Sequence, residues 1–148
     1  MKIKDCMTNE VSWCTPNDTV GKAINIMNDC HVGCVPICDQ ENKVVGIVTD
    51  RDILLRCVNC DKDVKTTPVT DIMTKKVCCC NENDDIEYAE KCMSDMQVRR
   101  IPVINDGKLV GILSLGDLAK NDTKIGKNNV CETLENICKC GTEKKNAQ

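Results

Sequence analysis

Two short stretches carry the side chains best suited to chemistry. Gly46-Ile47-Val48-Thr49-Asp50-Arg51-Asp52 places a hydroxyl and a carboxylate three residues apart, after a glycine and two β-formers. Gly111-Ile112-Leu113-Ser114-Leu115-Gly116-Asp117 repeats the arrangement. The pattern predicts a strand that stops at the hydroxyl residue and turns into a helix. An ionised carboxylate only accepts hydrogen bonds, so Asp52 and Asp117 suit a ligand that offers hydroxyls. Thr49 and Ser114, beside free backbone N–H groups, suit an anion. The same aspartates also suit the first turn of a helix as caps. Both readings stand at this point.

Positive charge sits close to one of the two stretches. Val98-Arg99-Arg100-Ile101-Pro102 brings two guanidiniums, whose planar forks suit phosphate oxygen. The matching Val32-Gly33-Cys34-Val35 carries no charge, although Arg51 lies inside the first motif and His31 lies nearby. The first site therefore suits a less charged ligand, or none. No nucleophile–base pair, Gly-x-Gly-x-x-Gly or Walker loop is present, and no catalytic activity is expected.

The fourteen cysteines allow three readings. Cys14, Cys34, Cys38, Cys78 and Cys80 stand where a β-former or small apolar residue would fit, and free cysteine packs as a small hydrophobe. Cys57-x-x-Cys60 is a single CxxC without a second pair at zinc-finger spacing, so no metal ligand set is assigned. Cys131, Cys138 and Cys140 in the tail would reach it only by folding back. Redox pairing is the third reading.

Composition narrows the rest. One Trp, one Tyr and no Phe leave nothing for stacking single-stranded nucleic acid. A net charge of -3 opposes nonspecific binding to phosphate backbones. No apolar run spans a membrane, and Met1-Lys2-Ile3-Lys4-Asp5 lacks a signal-peptide core. A cytoplasmic protein with no nucleic-acid or membrane partner is expected.

These residues are positioned by a repeated unit. Asp5-Cys6-Met7-Thr8 returns as Asp71-Ile72-Met73-Thr74, and Val35-Pro36-Ile37 as Ile101-Pro102-Val103, both 66 positions later. Gly46 returns as Gly111 after 65, one residue having been lost. Two copies point to a pseudo-symmetric pair rather than a solenoid. Each copy reads β-α-β-β-α. Residues 10–15 and 76–81 are extended. Val20, Ala23, Ile24 and Met27 form one helical stripe, capped by Asp18 or Thr19. Ile86, Ala89, Met93 and Met96 form the other, capped by Asp84 or Asp85. Two strands follow each helix. In the second copy they cover 100–104 and 108–113, joined at Asn105-Asp106-Gly107, a strong hairpin signal. Helices at 52–57 and 117–120 follow the motifs, and residues 59–68 form the linker. In the tail, Asn129 with Glu132 fits an N-cap pair. Val130, Leu134 and Ile137 form the stripe of a short helix near 129–139 that docks on the repeats or on a second subunit. Residues 141–148 are expected to be disordered.

The Asp-x-Met-Thr opening, the Ile-Pro-Val strand and the Gly-h-h-Thr/Ser-x-x-Asp helix entry, each present twice in order, resemble tandem cystathionine β-synthase (CBS) domains. The resemblance covers about residues 2–120, and the chain is similar to small stand-alone bacterial proteins of this type. It implies an α/β fold of the α+β type: two pseudo-symmetric β-α-β-β-α repeats packed through their sheets, here with a short C-terminal helix. The repeats would cover 1–61 and 62–120, with a polar tail at 121–148. The resemblance also implies two clefts that bind adenosine-containing ligands, with Asp52 and Asp117 taking ribose hydroxyls and Thr49 and Ser114 contacting phosphate or ribose. Arg99 and Arg100 match phosphate-contacting positions, and Arg51 is a further candidate. Thr15 and the proline strands, through Ile37 and Val103, would line the adenine, or those apolar residues are ordinary core. The implied function is regulatory: sensing AMP, ADP, ATP or a relative, with no required cofactor, and passing a shape change to an effector protein or across a homodimer. The alternative on the same scaffold is a cysteine-based metal or redox sensor.

Overall fold

A computed structural model describes residues 1–121 and 129–139; Cys140 and the segment 141–148 lie outside the described residues. The chain divides into two compact units. One holds Glu10–Val77 with Asp106–Leu109. The other holds Met1–Asn9, Cys78–Asn105 and the described chain from Val110 onward. Each sequence half thus lends its opening segment to the unit built by the other half.

In the first of these units, helix α1 spans Val20–Cys30, with Thr19 as N-cap accepting from Lys22 N–H. Asp18 instead accepts from Thr15 N–H at 2.8 Å and pairs with Lys22. Strands β1 (Cys34–Cys38) and β2 (Val44–Thr49) pair antiparallel, with a bulge after Ile37. Cys14 alone adds a parallel bridge to Ile37. One α-turn, α2 (Asp50–Asp52), follows, widens into a π-turn over Ile53–Cys57 and tightens to a 3₁₀ turn at Val58–Cys60.

The second unit has β3 (Cys80–Asn81) parallel to β4 (Arg100–Asn105), and β5 (Lys108–Ser114), which belongs to this unit from Val110 onward, lies on β4's other side. Helix α3 spans Ile86–Met96, with Asp85 at the N-cap but making no side-chain capping bond. The hairpin turns at Asp106 and Gly107, both in the left-handed region, where glycine accepts the positive φ without a Cβ clash. Helix α4 (Leu115–Lys120) follows β5, and α5 (Asn129–Ile137) packs on α3 and α4 of its own chain.

The two cores are near copies. Cys14, Val20, Ala23, Val35, Ile37 and Val69 form one, and their counterparts 66 positions away, Cys80, Ile86, Ala89, Ile101, Val103 and Ile3, form the other. Ile3 and Val69 confirm the exchange of opening segments, since each is buried with the other half's residues. Cysteine fills β-former positions, with Cys14, Cys34, Cys38 and Cys80 all buried. Three sequence expectations change. Met96 lies at the end of its stripe and is exposed. On α5 the docked face is Val130, Thr133 and Ile137, while Leu134 is 42% exposed. The threonine is small enough to face the contact, and that rotates Leu134 off the seam. Asn129 is already the first residue of α5, so the capping position precedes it, outside the described residues.

Candidate functional site

Both motif stretches build the same junction. Thr49 is the N-cap of α2: its hydroxyl accepts from Asp52 N–H at 3.0 Å, and Asp52 Oδ2 accepts from Thr49 N–H at 3.0 Å. Ser114 and Asp117 make the identical reciprocal pair at 3.0 and 2.9 Å. This is a capping box, which satisfies two otherwise orphaned backbone donors. The capping role is therefore real for both aspartates.

The preceding glycines are explained by close approach. A Cβ on Gly46 would stand 2.5 Å from Met73 Sδ and 3.1 Å from Thr74 O. One on Gly111 would stand 2.8 Å from both Met7 Sδ and Thr8 O. The Met-Thr segments bridge back to the motif strands, Thr74 to Ile47 and Thr8 to Ile112. Thus each Met-Thr segment serves the motif of the opposite sequence half.

Beyond the capping box the two corners differ. Asp52 is only 9% exposed and has further partners within its unit. The Thr74 hydroxyl reaches its carboxylate at 3.4 and 3.5 Å, and Arg56 Nη1 lies 3.8 Å from Oδ1. Arg56 also donates to Ile72 O at 3.2 Å, tying the Met-Thr segment to the helical turn. Asp117 is half-buried, and among the described residues its Oδ1 accepts no hydrogen bond. Arg56 is replaced at the matching position by Asn121, whose amide turns to the main-chain oxygen of Asp117 at 2.8 Å. The Thr8 hydroxyl makes no bond to Asp117. Neither Arg56 nor Thr74 is identifiable from the motif alone. The signal available was the Met-Thr repeat, but its partner lies in the other half of the chain.

A pocket of about 340 Å³ opens beside the second corner, lined by Arg99, Arg100, Ser114, Leu115, Gly116 and Leu134. Leu115 N–H donates to Arg99 O at 2.8 Å, which fixes the helix entry against the arginine pair. Among the described residues neither guanidinium lies within ion-pair distance of a carboxylate; Arg99 Nη2 lies 3.9 Å from Cys138 Sγ. Three expected residues, Arg99, Arg100 and Ser114, are thus brought together. Asp117 follows the lining residues Leu115 and Gly116 in the same first helical turn.

The other expected residues stand elsewhere. Arg51 is exposed on α2. The Thr15 N–H is held by Asp18, as that of Asn81 is by Asp84. Ile37 and Val103 are 0% exposed members of the two cores. His31 is the exposed, left-handed residue that ends α1, with Gln97 as its counterpart on α3.

Cys14, Cys34, Cys38, Cys57, Cys80 and Cys92 are buried, while Cys30, Cys60, Cys131 and Cys138 are exposed. Cys57 Sγ and Cys60 Sγ donate to different carbonyls, of Lys62 and Leu55, and do not converge. Among the described residues no three His, Cys, Asp or Glu side chains could hold a metal ion. Burial, aided by neighbouring Cys92, pushes the Cys78 thiol up to about 11 and Cys80 higher still. Burial, with Asp18 adding to it, pushes Cys14 up to about 11. Cys6 rises to about 11 through burial, with the charge of Asp117 second. No described helix is long and apolar enough to cross a membrane.

Comparison with known proteins agrees with this architecture. A sequence profile for the CBS domain matches residues 3–59 and 69–123. The CBS domain-containing protein YhcV of Bacillus subtilis is 39% identical over 119 residues, 80% of this chain and 84% of that protein. Hypoxic response protein I, solved with two coordinated zinc ions, is 28% identical with a TM-score of 0.76, over 81% of this chain and 98% of that one. CBSX2, solved in complex with AMP, is 27% identical with a TM-score of 0.72, over 85% of this chain and 98% of that one.

Proposed function

Since the chain belongs to the CBS-domain family as a tandem pair, we propose that it is a regulatory module that senses an adenosine-containing nucleotide, chiefly in its second repeat. The observation that carries this is the pocket where Arg99 and Arg100, with no carboxylate paired to either among the described residues, meet the Ser114 hydroxyl. In a chain of net charge -3, two such guanidiniums side by side in a concave site are a local anion site. In this reading they and Ser114 take phosphate. Asp117 Oδ1 takes ribose hydroxyls, for which an acceptor-only group is suited. The complex of CBSX2 with AMP supports the ligand class.

The first corner is a weaker site in this reading. A ligand hydroxyl at Asp52 would have to displace the Thr74 hydroxyl and compete with Arg56. Thr49, Arg51 and Thr15 would then serve a less charged ligand, or none.

The module acts by shifting its own conformational balance through differential affinity, with no chemical step. The output passes to an effector protein or to a second copy. The exposed apolar residues Leu54, Leu55 and Val58 support such a contact, which sedimentation at several concentrations would read. A cytoplasmic setting goes with this reading. The cysteine-sensor alternative draws less support at the buried Cys14 and the partly buried Cys78, because a thiol that holds its proton is a poor ligand and nucleophile.

Calorimetric titration of the full chain with AMP, ADP and ATP tests the proposal. Saturable binding that Arg100→Ala weakens at least tenfold is expected. Absence of heat with all three nucleotides and with S-adenosylmethionine would reject it.

A further inference from the structure

We propose that helix α5 is part of the second-repeat ligand site, and that Leu134 is the apolar wall against which the adenine base packs. The inference rests on reading the pocket as a nucleotide site. Among the described residues, that pocket is made by the start of β4, the junction of β5 with α4, and Leu134 from α5. Their chemistries are divided. Arg99, Arg100 and Ser114 serve the charged end of a ligand, while Leu115 and Leu134 serve an apolar face. Among the described residues no aromatic side chain lines the pocket, so aliphatic surface is what it offers to a base.

With Thr133 taking the place in the seam, the Leu134 side chain is left 42% exposed at the edge of the pocket. Among the described residues, helix α5 docks through Val130, Thr133 and Ile137. Two further contacts hold the end of this helix beside the arginines. Gln97 Nε2 donates to Asn136 O at 3.1 Å, and Arg99 Nη2 meets Cys138 Sγ at 3.9 Å. Leu134 is thereby held at a set place relative to Arg99 before any ligand arrives, which lowers the ordering cost of binding. The wall comes from the tail, outside both repeated motifs. A chain with the same two motifs and a different tail would keep the phosphate contacts and lose this selection for the base.

The test compares AMP with inorganic pyrophosphate by calorimetry on the full-length wild type, Leu134→Ala, Leu134→Met and Arg100→Ala. Leu134→Ala should weaken AMP by about fivefold to tenfold, from the apolar surface it deletes. It should leave pyrophosphate unchanged. Leu134→Met should restore AMP binding, and Arg100→Ala should weaken both ligands. AMP affinity unchanged in Leu134→Ala but lost in Arg100→Ala overturns the wall and leaves the pocket as a nucleotide site. AMP binding untouched by either substitution, or absent from the wild type, removes the nucleotide reading of the pocket and the wall with it. Thermal melts of each variant verify folding, which the exposed position of Leu134 should spare.

Discussion

Asp52 and Asp117 occupy matching places, yet their removal should have opposite consequences. Asp52→Ala deletes a charge-assisted bond from Thr49 N–H at 3.0 Å in a site that is 9% exposed. Such a bond contributes about 1.5–3 kcal/mol. The longer Thr74 contact adds a fraction of that, and the Arg56 pair, with the arginine side chain 52% exposed, adds about 0–1 kcal/mol. The total loss should be about 2–4 kcal/mol. Asp117→Ala deletes one comparable bond from Ser114 N–H in a half-exposed setting, where loss of a capping contact costs about 1 kcal/mol. For a chain of this size each kcal/mol moves the melting midpoint by roughly 2–4 °C. Asp52→Ala should therefore melt several degrees below Asp117→Ala. For AMP the order reverses. Loss of hydrogen bonds from ribose to an ionised acceptor should weaken binding by roughly tenfold to a hundredfold in Asp117→Ala. Asp52→Ala should leave the second-repeat affinity unchanged at a temperature where it remains folded. Urea unfolding and calorimetry on the same preparations measure both quantities. Equal stabilities would refute the reasoning from Asp52's additional partners, and an AMP affinity lowered by Asp52→Ala alone would refute the assignment of the occupied corner.

Other outcomes follow from the same geometry. Gly111→Ala should lose about 1–3 kcal/mol in urea unfolding, because its Cβ meets a backbone oxygen at 2.8 Å, whereas Gly46→Ala, meeting a movable Met73 Sδ first, should lose less. A disulfide-exchange reagent at pH 8 should label the exposed Cys30, Cys60, Cys131 and Cys138 first, while Cys14 and Cys80 react only on unfolding; fast labelling of Cys80 in the native state would contradict its placement. Burial raises the Asp18 carboxyl, but the Thr15 N–H and Lys22 outweigh it and hold it below the usual range. Its contribution to stability is present above the ordinary aspartate range and fades as pH falls through the depressed value, so Asp18→Asn should flatten the acid limb of a stability-versus-pH curve.

Much of the fold can be read from side-chain period alone. The stripes of α1 and α3, the Asp106-Gly107 turn and the 66-residue offset are local signals, and the local structure obeys them. What escapes is information that depends on distant chain. Nothing near Met73 and Thr74 tells that they belong with Gly46 and Asp52, because that pairing is made through space by the first half's own strand. Leu134 is misread for a different reason. Helical period places it near the apolar seam, but which residue fills the seam depended on Thr133 fitting between α5 and its neighbours. The arginine pair is legible as charge, and its meeting with Ser114 in one pocket depends on the β4–β5 hairpin closing at the right length.

The trading of opening segments bears on how such a chain can arise and be divided. A gene cut between the halves yields pieces that each carry an opener for the wrong unit, Ile3 in one and Val69 in the other. A single repeat of this pattern is complete only when a second copy supplies the missing opener, as in domain-swapped dimers. Fusing two copies into one polypeptide turns that reciprocal loan into a permanent one. The two halves need not match at every position, and they differ at Arg56, which pairs with Asp52, and Asn121, which turns to the main chain of Asp117.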